Sequence, residues 1–200
     1  DITPAWSFNG FISGDTSATI AYTGRNYNTA NVTTANLITV SGLSITSVAG
    51  GNSSAPEDYV LDSTTKTVNA TITPKTVSLA VAPKVYDAST DMTGYVSITT
   101  GVGGETLTYN GATSNDAHVA TADKYLNAIT LGNASDGSGG LASNYQLPTL
   151  NAANALVTIN PKTLTLTLTN SGYSQVYDGD AAADITPAWS FNGFISGDTS

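Results

Sequence analysis

Between Lys162 and Thr169 the chain reads Lys-Thr-Leu-Thr-Leu-Thr-Leu-Thr, a strict polar–apolar alternation that puts Leu164, Leu166 and Leu168 on one face. A period of two is the signature of a half-buried β-strand. Val77, Leu79 and Val81 repeat it, and Ala18–Thr23, Leu37–Ser47, Thr67–Thr73, Glu105–Tyr109 and Ala155–Ile159 are further β-rich runs bounded by Gly, Asn, Asp or Pro. No stretch holds the i, i+3, i+4 apolar spacing long enough for a substantial helix. Short strands between turn signals predict an all-β chain of two-sheet sandwiches.

A repeat sets the organisation. Asp1 to Ser17 reads DITPAWSFNGFISGDTS, and Asp184 to Ser200 reads the same 17 letters at an offset of 183 residues. Packing tolerates many substitutions of similar size, so identity on this scale is duplication rather than a shared fold preference. It predicts a longer repeating parent protein. Inside the large period lies a fainter one. Thr73-Pro74-Lys75-Thr76-Val77 answers Asn160-Pro161-Lys162-Thr163-Leu164, and Val85-Tyr86-Asp87 answers Val176-Tyr177-Asp178. Asp58-Tyr59-Val60-Leu61 answers Asn144-Tyr145-Gln146-Leu147, and Gly14-Asp15 answers Gly104-Glu105. The offsets run from 86 to 91 residues, as loop insertions would make them.

This punctuation places one complete module at 74–160. A second module type, 96 residues long, opens at 161–200 and is represented in its later part by 1–73. Pro74 and Pro161 stand at the junctions, where a fixed φ and a missing N–H favour a defined bend over a floppy hinge. Units near 90 residues are large enough to bury a small core each.

At these residues the chain resembles the YDG and MBG-type bacterial immunoglobulin-like repeats, found in large exoproteins similar to filamentous haemagglutinins and other giant adhesins. The features that carry the resemblance are the Pro-Lys-Thr opening, the Val-Tyr-Asp motif (Val-Tyr-Asp-Gly at 176–179), the Gly-Asp step and the Asn-Tyr-x-Leu close. It spans essentially the full length in two variants. It implies tandem immunoglobulin-like β-sandwich modules arranged end to end, extracellular at the bacterial cell surface, serving as the stalk or filament of an adhesin. It transfers no catalytic residues. The 74–160 module departs from the motif by carrying Ala88 where Gly179 stands in its partner, which puts a positive-φ turn there in doubt.

The motif residues read as structural. Tyr86 and Tyr177 are expected to pack their rings and to find backbone partners for their hydroxyls. Asp87 and Asp178 are expected to bond nearby backbone N–H groups in turns. Tyr59 and Tyr145 are expected to anchor the final hairpin of each module, and Trp6 and Trp189, one site in two copies, are expected in the core.

Composition narrows the chemistry. Hydrophobic residues make up 40% and charged residues 10% of the chain, which carries 19 Gly and no Cys. Disulfides and thiolate metal sites are therefore excluded. A net charge of −9 disfavours nucleic acid, whose phosphates need Lys and Arg, and an anionic membrane surface. No run of eighteen apolar residues is present for insertion in a membrane. His118 is the single histidine and has no motif around it, and neither a nucleophile elbow nor a phosphate loop occurs, so the expectation is a non-enzyme. Calcium is the one cofactor candidate: Asn133, Ser135 and Asp136 alternate oxygen ligands in a Gly-rich loop, without the closing bidentate Glu of an EF-hand. Asn31, Asn52, Asn69 and Asn133 open N-x-Ser/Thr sequons.

Two functions stay open from sequence. One is a structural module whose partners are neighbouring repeats of the same protein, joined by chain continuity or by strand complementation between copies. The other is an adhesive module recognising a host glycan, a receptor or a surface. Duplication to identity favours the first, since a spacer gains reach from each added copy.

Overall fold

The computed structural model describes residues 3–198. The chain divides into two compact units, the first ending at Pro74 and the second beginning at Lys75.

The first unit contains β1 (Asp15–Ala21), β2 (Gly24–Tyr27), β3 (Leu37–Ser41), β4 (Ser44–Gly50) and β5 (Thr65–Asn69). β1 pairs antiparallel with β4, and β3 lies between β2 and β5, antiparallel to both. Ile38 and Val40 alternate inward along β3 and with Leu43 form the buried core, against which Trp6, Ile20, Tyr22, Leu61 and Ala70 pack. The run Leu37–Ser47 is two strands, not one. Gly42 breaks it at φ 65°, and a Cβ there would lie 2.0 Å from the Thr23 hydroxyl oxygen. The turn hands β4 to a different sheet from β3.

The second unit contains β6 (Lys75–Thr76), β7 (Ser78–Val81), β8 (Lys84–Val85), β9 (Val96–Thr99), β10 (Thr108–Ser114), β11 (Leu126–Gly132), β12 (Tyr145–Gln146), β13 (Ile159–Asn160), β14 (Thr165–Leu168) and β15 (Trp189–Asn192). Its core is Met92, Val96, Ala112, Leu126, Ile129, Ala155, Val157 and Ile159. The opening segment ties this module together. β6 runs parallel to β12, β7 antiparallel to β9, and β8 parallel to β13. Val77, between the first two contacts, is 2% exposed, and its N–H donates to the Gln146 carbonyl at 3.0 Å. β10 and β11 form a hairpin with a register shift around Gly111, whose φ of 65° suits the bulge.

The chain is mostly strand with very little helix. Among the described residues, helix is confined to Pro56–Asp58, Ala142–Asn144 and Ala152–Ala155. The expected strand Ala155–Ile159 is thus corrected: Asn151 caps a helical turn by accepting from the N–H groups of Ala153 and Asn154 at 3.0 Å each, Leu156 makes only an isolated antiparallel bridge to Tyr125, and strand pairing begins at Ile159. The strand expected at Glu105–Tyr109 begins at Thr108. Among the described residues the strands form small sheets, six of two strands and one of three, and no closed two-sheet sandwich is seen. Among the described residues no helix is long and apolar enough to cross a membrane.

Candidate functional site: an open groove beside a carboxylate–tyrosine clasp

The Gly-Asp step and the Asn/Asp-Tyr close, separate motifs in the sequence, meet in space. The Tyr59 hydroxyl donates to Asp15 Oδ2 at 2.6 Å, and the Tyr145 hydroxyl to Glu105 Oε2 at 2.6 Å. Preceding each acid is a glycine with positive φ, Gly14 and Gly104. Ser54 and Asn52 add donors to Asp15 at 2.6 and 3.1 Å. The Ser54 and Tyr59 hydroxyls hold the Asp15 carboxyl below its usual range. Its hydrogen bond to Asp15, then burial, raises Tyr59. Burial first and Glu105 second raise Tyr145. A carboxylate bonded to a neutral phenol favours both of those protonation states.

The Val-Tyr-Asp loops are built alike as well. Asp87 Oδ1 accepts from Ser89 N at 3.0 Å, and Asp178 Oδ1 from Asp180 N at 3.1 Å. At the hub of each loop is a residue that the motif did not flag. Lys84 Nζ donates to the Asp91 carbonyl at 2.7 Å and pairs with Asp87 at 2.8 Å. Gln175 Nε2 donates to the Ala182 carbonyl at 3.2 Å and to Asp178 Oδ2 at 2.8 Å. Both substitute one cationic or amide donor into the same two acceptors. Burial acts to raise Asp87, but the Lys84 ammonium and the Ser89 N–H outweigh it and leave the carboxyl lowered. The Asp180 N–H, then Gln175, lowers Asp178. Ala88 has φ 63° and Gly179 φ 86°, so the positive-φ turn is present in both loops and Ala88 adopts it despite its Cβ.

Tyrosine placement differs between copies. Tyr86 packs its ring against the core of its module, 5.9 Å from the His118 ring, whereas Tyr177 is 91% exposed. Trp6 packs on the first core, whereas Trp189 is 51% exposed. The packing expected for Tyr177 and Trp189 is therefore not seen: both side chains are exposed, and neither packs on a buried cluster of the described residues. Pro74 is half-buried at the unit junction and Pro161 is exposed; neither peptide bond is cis.

The 133–139 loop spends its oxygens internally. Asp136 accepts from Ser138 N at 3.0 Å and from the Thr106 hydroxyl at 2.7 Å, and these bonds, the Ser138 N–H first, lower it to about 2. Asn133 Oδ1 accepts from Ala142 N at 2.9 Å. Ser135 is exposed. The loop is a turn pinned to Thr106, and among the described residues no three His, Cys, Asp or Glu side chains gather as metal ligands.

Beside the Asp15–Tyr59 clasp the first unit opens a cavity of about 470 Å³, lined among others by Trp6, Phe8, Ile20, Leu43, Ile45 and Leu61. Phe11 closes onto Tyr59 edge-on at 5.3 Å. Trp6–Asn9 borders the groove without joining any strand, with Trp6 and Phe8 half-buried and Ser7 and Asn9 exposed. No family model, curated protein or solved structure matches the chain.

Proposed function

We propose that this chain is a structural repeat of a secreted bacterial surface fibre, an immunoglobulin-like module whose role is to extend a stalk. One observation carries the reading: the same opening hairpin is built twice in one register. β7 and β9 pair Ser78, Leu79, Ala80 and Val81 with Thr99, Ile98, Ser97 and Val96. β14 and β15 pair Thr165, Leu166, Thr167 and Leu168 with Asn192, Phe191, Ser190 and Trp189. The strands share their register while Val96 and Ile98 give way to Trp189 and Phe191, as duplication followed by divergence produces.

The matched clasps and matched Val-Tyr-Asp loops extend the correspondence to the rest of the module. Parallel contacts between the opening segment and the last strands favour the sandwich, since they bring first and last elements side by side. An acidic, sparsely charged surface suits a soluble spacer with low self-adhesion. In this reading the tyrosines and acids that recur are there to hold each module shut, and the chain is not an enzyme. Electron micrographs of a polypeptide carrying several 183-residue periods test this. Thin, regular fibres are expected, and compact globules would remove the proposal.

A further inference from the structure

Four N-x-Ser/Thr sequons stand in the sequence, and a stalk module has no need of any of them. A sugar on a folded module needs an amide nitrogen clear of the surface, with the Ser or Thr hydroxyl two residues on open beside it. Three of the four fail that criterion. Asn52 Nδ2 donates to the Ser13 carbonyl at 3.0 Å and to Asp15 Oδ1 at 3.1 Å, so its amide is tied into the clasp. Asn31 is half-buried and heads a turn, its carbonyl accepting from the N–H groups of Thr34 and Ala35. Asn133 is pinned at both oxygens: Oδ1 accepts from Ala142 N at 2.9 Å, and the carbonyl from the Thr108 hydroxyl at 2.8 Å.

Asn69 meets it. It ends β5, paired with Leu37. Asn69 and Thr71 are exposed and Ala70 between them is half-buried, so the alternation of an extended chain puts amide and hydroxyl on one side. Among the described residues neither of those two groups has a hydrogen-bond partner, while the Tyr27 hydroxyl donates to the Thr71 carbonyl at 3.2 Å and steadies the backbone. The second unit shows that this outward face belongs to the module itself. At the offset that relates Pro74 to Pro161, Leu156 and Thr158 stand where Asn69 and Thr71 do. Both are exposed, Val157 and Ile159 turn inward, and Leu156 bridges Tyr125 antiparallel as Asn69 does Leu37. The opening segment of that unit is in place, so the exposure owes nothing to an uncovered groove.

We propose that Asn69 is an N-glycosylation site, the one sequon of the four that carries a sugar on the folded chain. The co-reactant is a diphosphate-activated sugar, presented by a glycosyltransferase that reads the Thr71 hydroxyl beside the amide. Asn69 Nδ2 bonds to the anomeric carbon and gives up one proton. The bond from that carbon to the diphosphate oxygen breaks, and the diphosphate leaves with the electron pair. The sugar then projects from the solvent face of β5 and displaces no hydrogen bond of the module.

Occupancy is tested by mass-spectrometric peptide mapping of the protein isolated from the cells that make it. Sugar is expected on the peptide that holds Asn69 and on none of the other three. A bare Asn69, or equal occupancy elsewhere, overturns the proposal. Selection by the fold is tested with the full chain, uridine diphosphate glucose and a soluble N-glycosyltransferase that accepts N-x-Ser/Thr. The folded chain should gain hexose at Asn69 about tenfold faster than at Asn52, the factor that one hydrogen bond to a charged group sets. On short synthetic peptides of the two sequons the difference should vanish. Asn69→Gln and Thr71→Val should each abolish the Asn69 product with the melting temperature unchanged, since neither side chain bonds within the module. Equal rates at Asn52 and Asn69 on the folded chain overturn the proposal as well. Fibres with a bare Asn69 would remove the glycosylation site alone; globules with a modified Asn69 would remove the stalk alone.

Discussion

Ala88 holds a backbone conformation that its side chain disfavours, at φ 63°. A left-handed residue with a Cβ costs about 1–2 kcal/mol, part of which glycine returns through the entropy of the unfolded chain. Ala88→Gly should therefore stabilise the second unit by roughly 0.5–1 kcal/mol, read as a higher denaturant midpoint at constant slope. Loss of stability would mean that the Cβ makes a packing contact outweighing the strain. The clasps make a second prediction, in pH. Asp15 titrates below its ordinary 3.8 and Asp136 at about 2, so their stabilisation is full above 3.8 and drains away as pH falls through the lowered values. Tyr59 and Tyr145 titrate above 10.0, so theirs is full below 10.0 and drains away as pH rises through the raised values. The melting temperature should fall at both ends. Tyr145→Phe should cost about 1–2 kcal/mol at neutral pH, since it strands an acceptor in a half-buried site. It should also flatten the alkaline arm; an unchanged alkaline arm would contradict the clasp.

Elements respond to context more than to their own letters, which explains what was legible in the sequence. Alternation located β7 and β14 because their apolar residues recur at every second position, and β-rich composition between turn residues located β1 and β5 to within a few residues. It passed over β11, Leu-Asn-Ala-Ile-Thr-Leu-Gly, where the buried Leu126 and Ile129 are three apart and read as neither period. The β-rich run Ala155–Ile159 does bury Ala155 and Val157, but Asn151 captures the backbone ahead of them and turns it helical. The clasps were visible only as four short motifs, because no local rule pairs an acid with a tyrosine 40 or 44 residues away. Trp6–Asn9 marks the limit: one tetrapeptide is strand in one copy and not in the other, so its state is decided by the neighbour. A paired substitution measures this. Leu126→Ala, at a fully buried site, should cost about 2–5 kcal/mol, while Leu166→Ala in the same chain should stay within about 0.5 kcal/mol. Similar losses would show that β14 already has a core to lie on. Calcium titration should leave the melting temperature unchanged, since Asp136 has both oxygens engaged; a marked rise would turn the 133–139 loop into a binding site.

For the molecule as a whole, the recurring parts serve closure. The opening segment of a module contacts its last strands, a carboxylate–tyrosine bond holds the base, and a wrapped Asp loop fixes the entry. The acid–tyrosine bond recurs in both units, and under the proposed function length is the property that grows when copies are added. The most direct measurement is small-angle scattering on polypeptides of one, two and four 183-residue periods. If modules meet at Pro74 and at Pro161 with almost no linker, as proposed, they should tumble together rather than independently. The maximum dimension should rise linearly with copy number at constant cross-section. A dimension that rises instead with roughly the cube root of mass, as a compact globule gives, would contradict it.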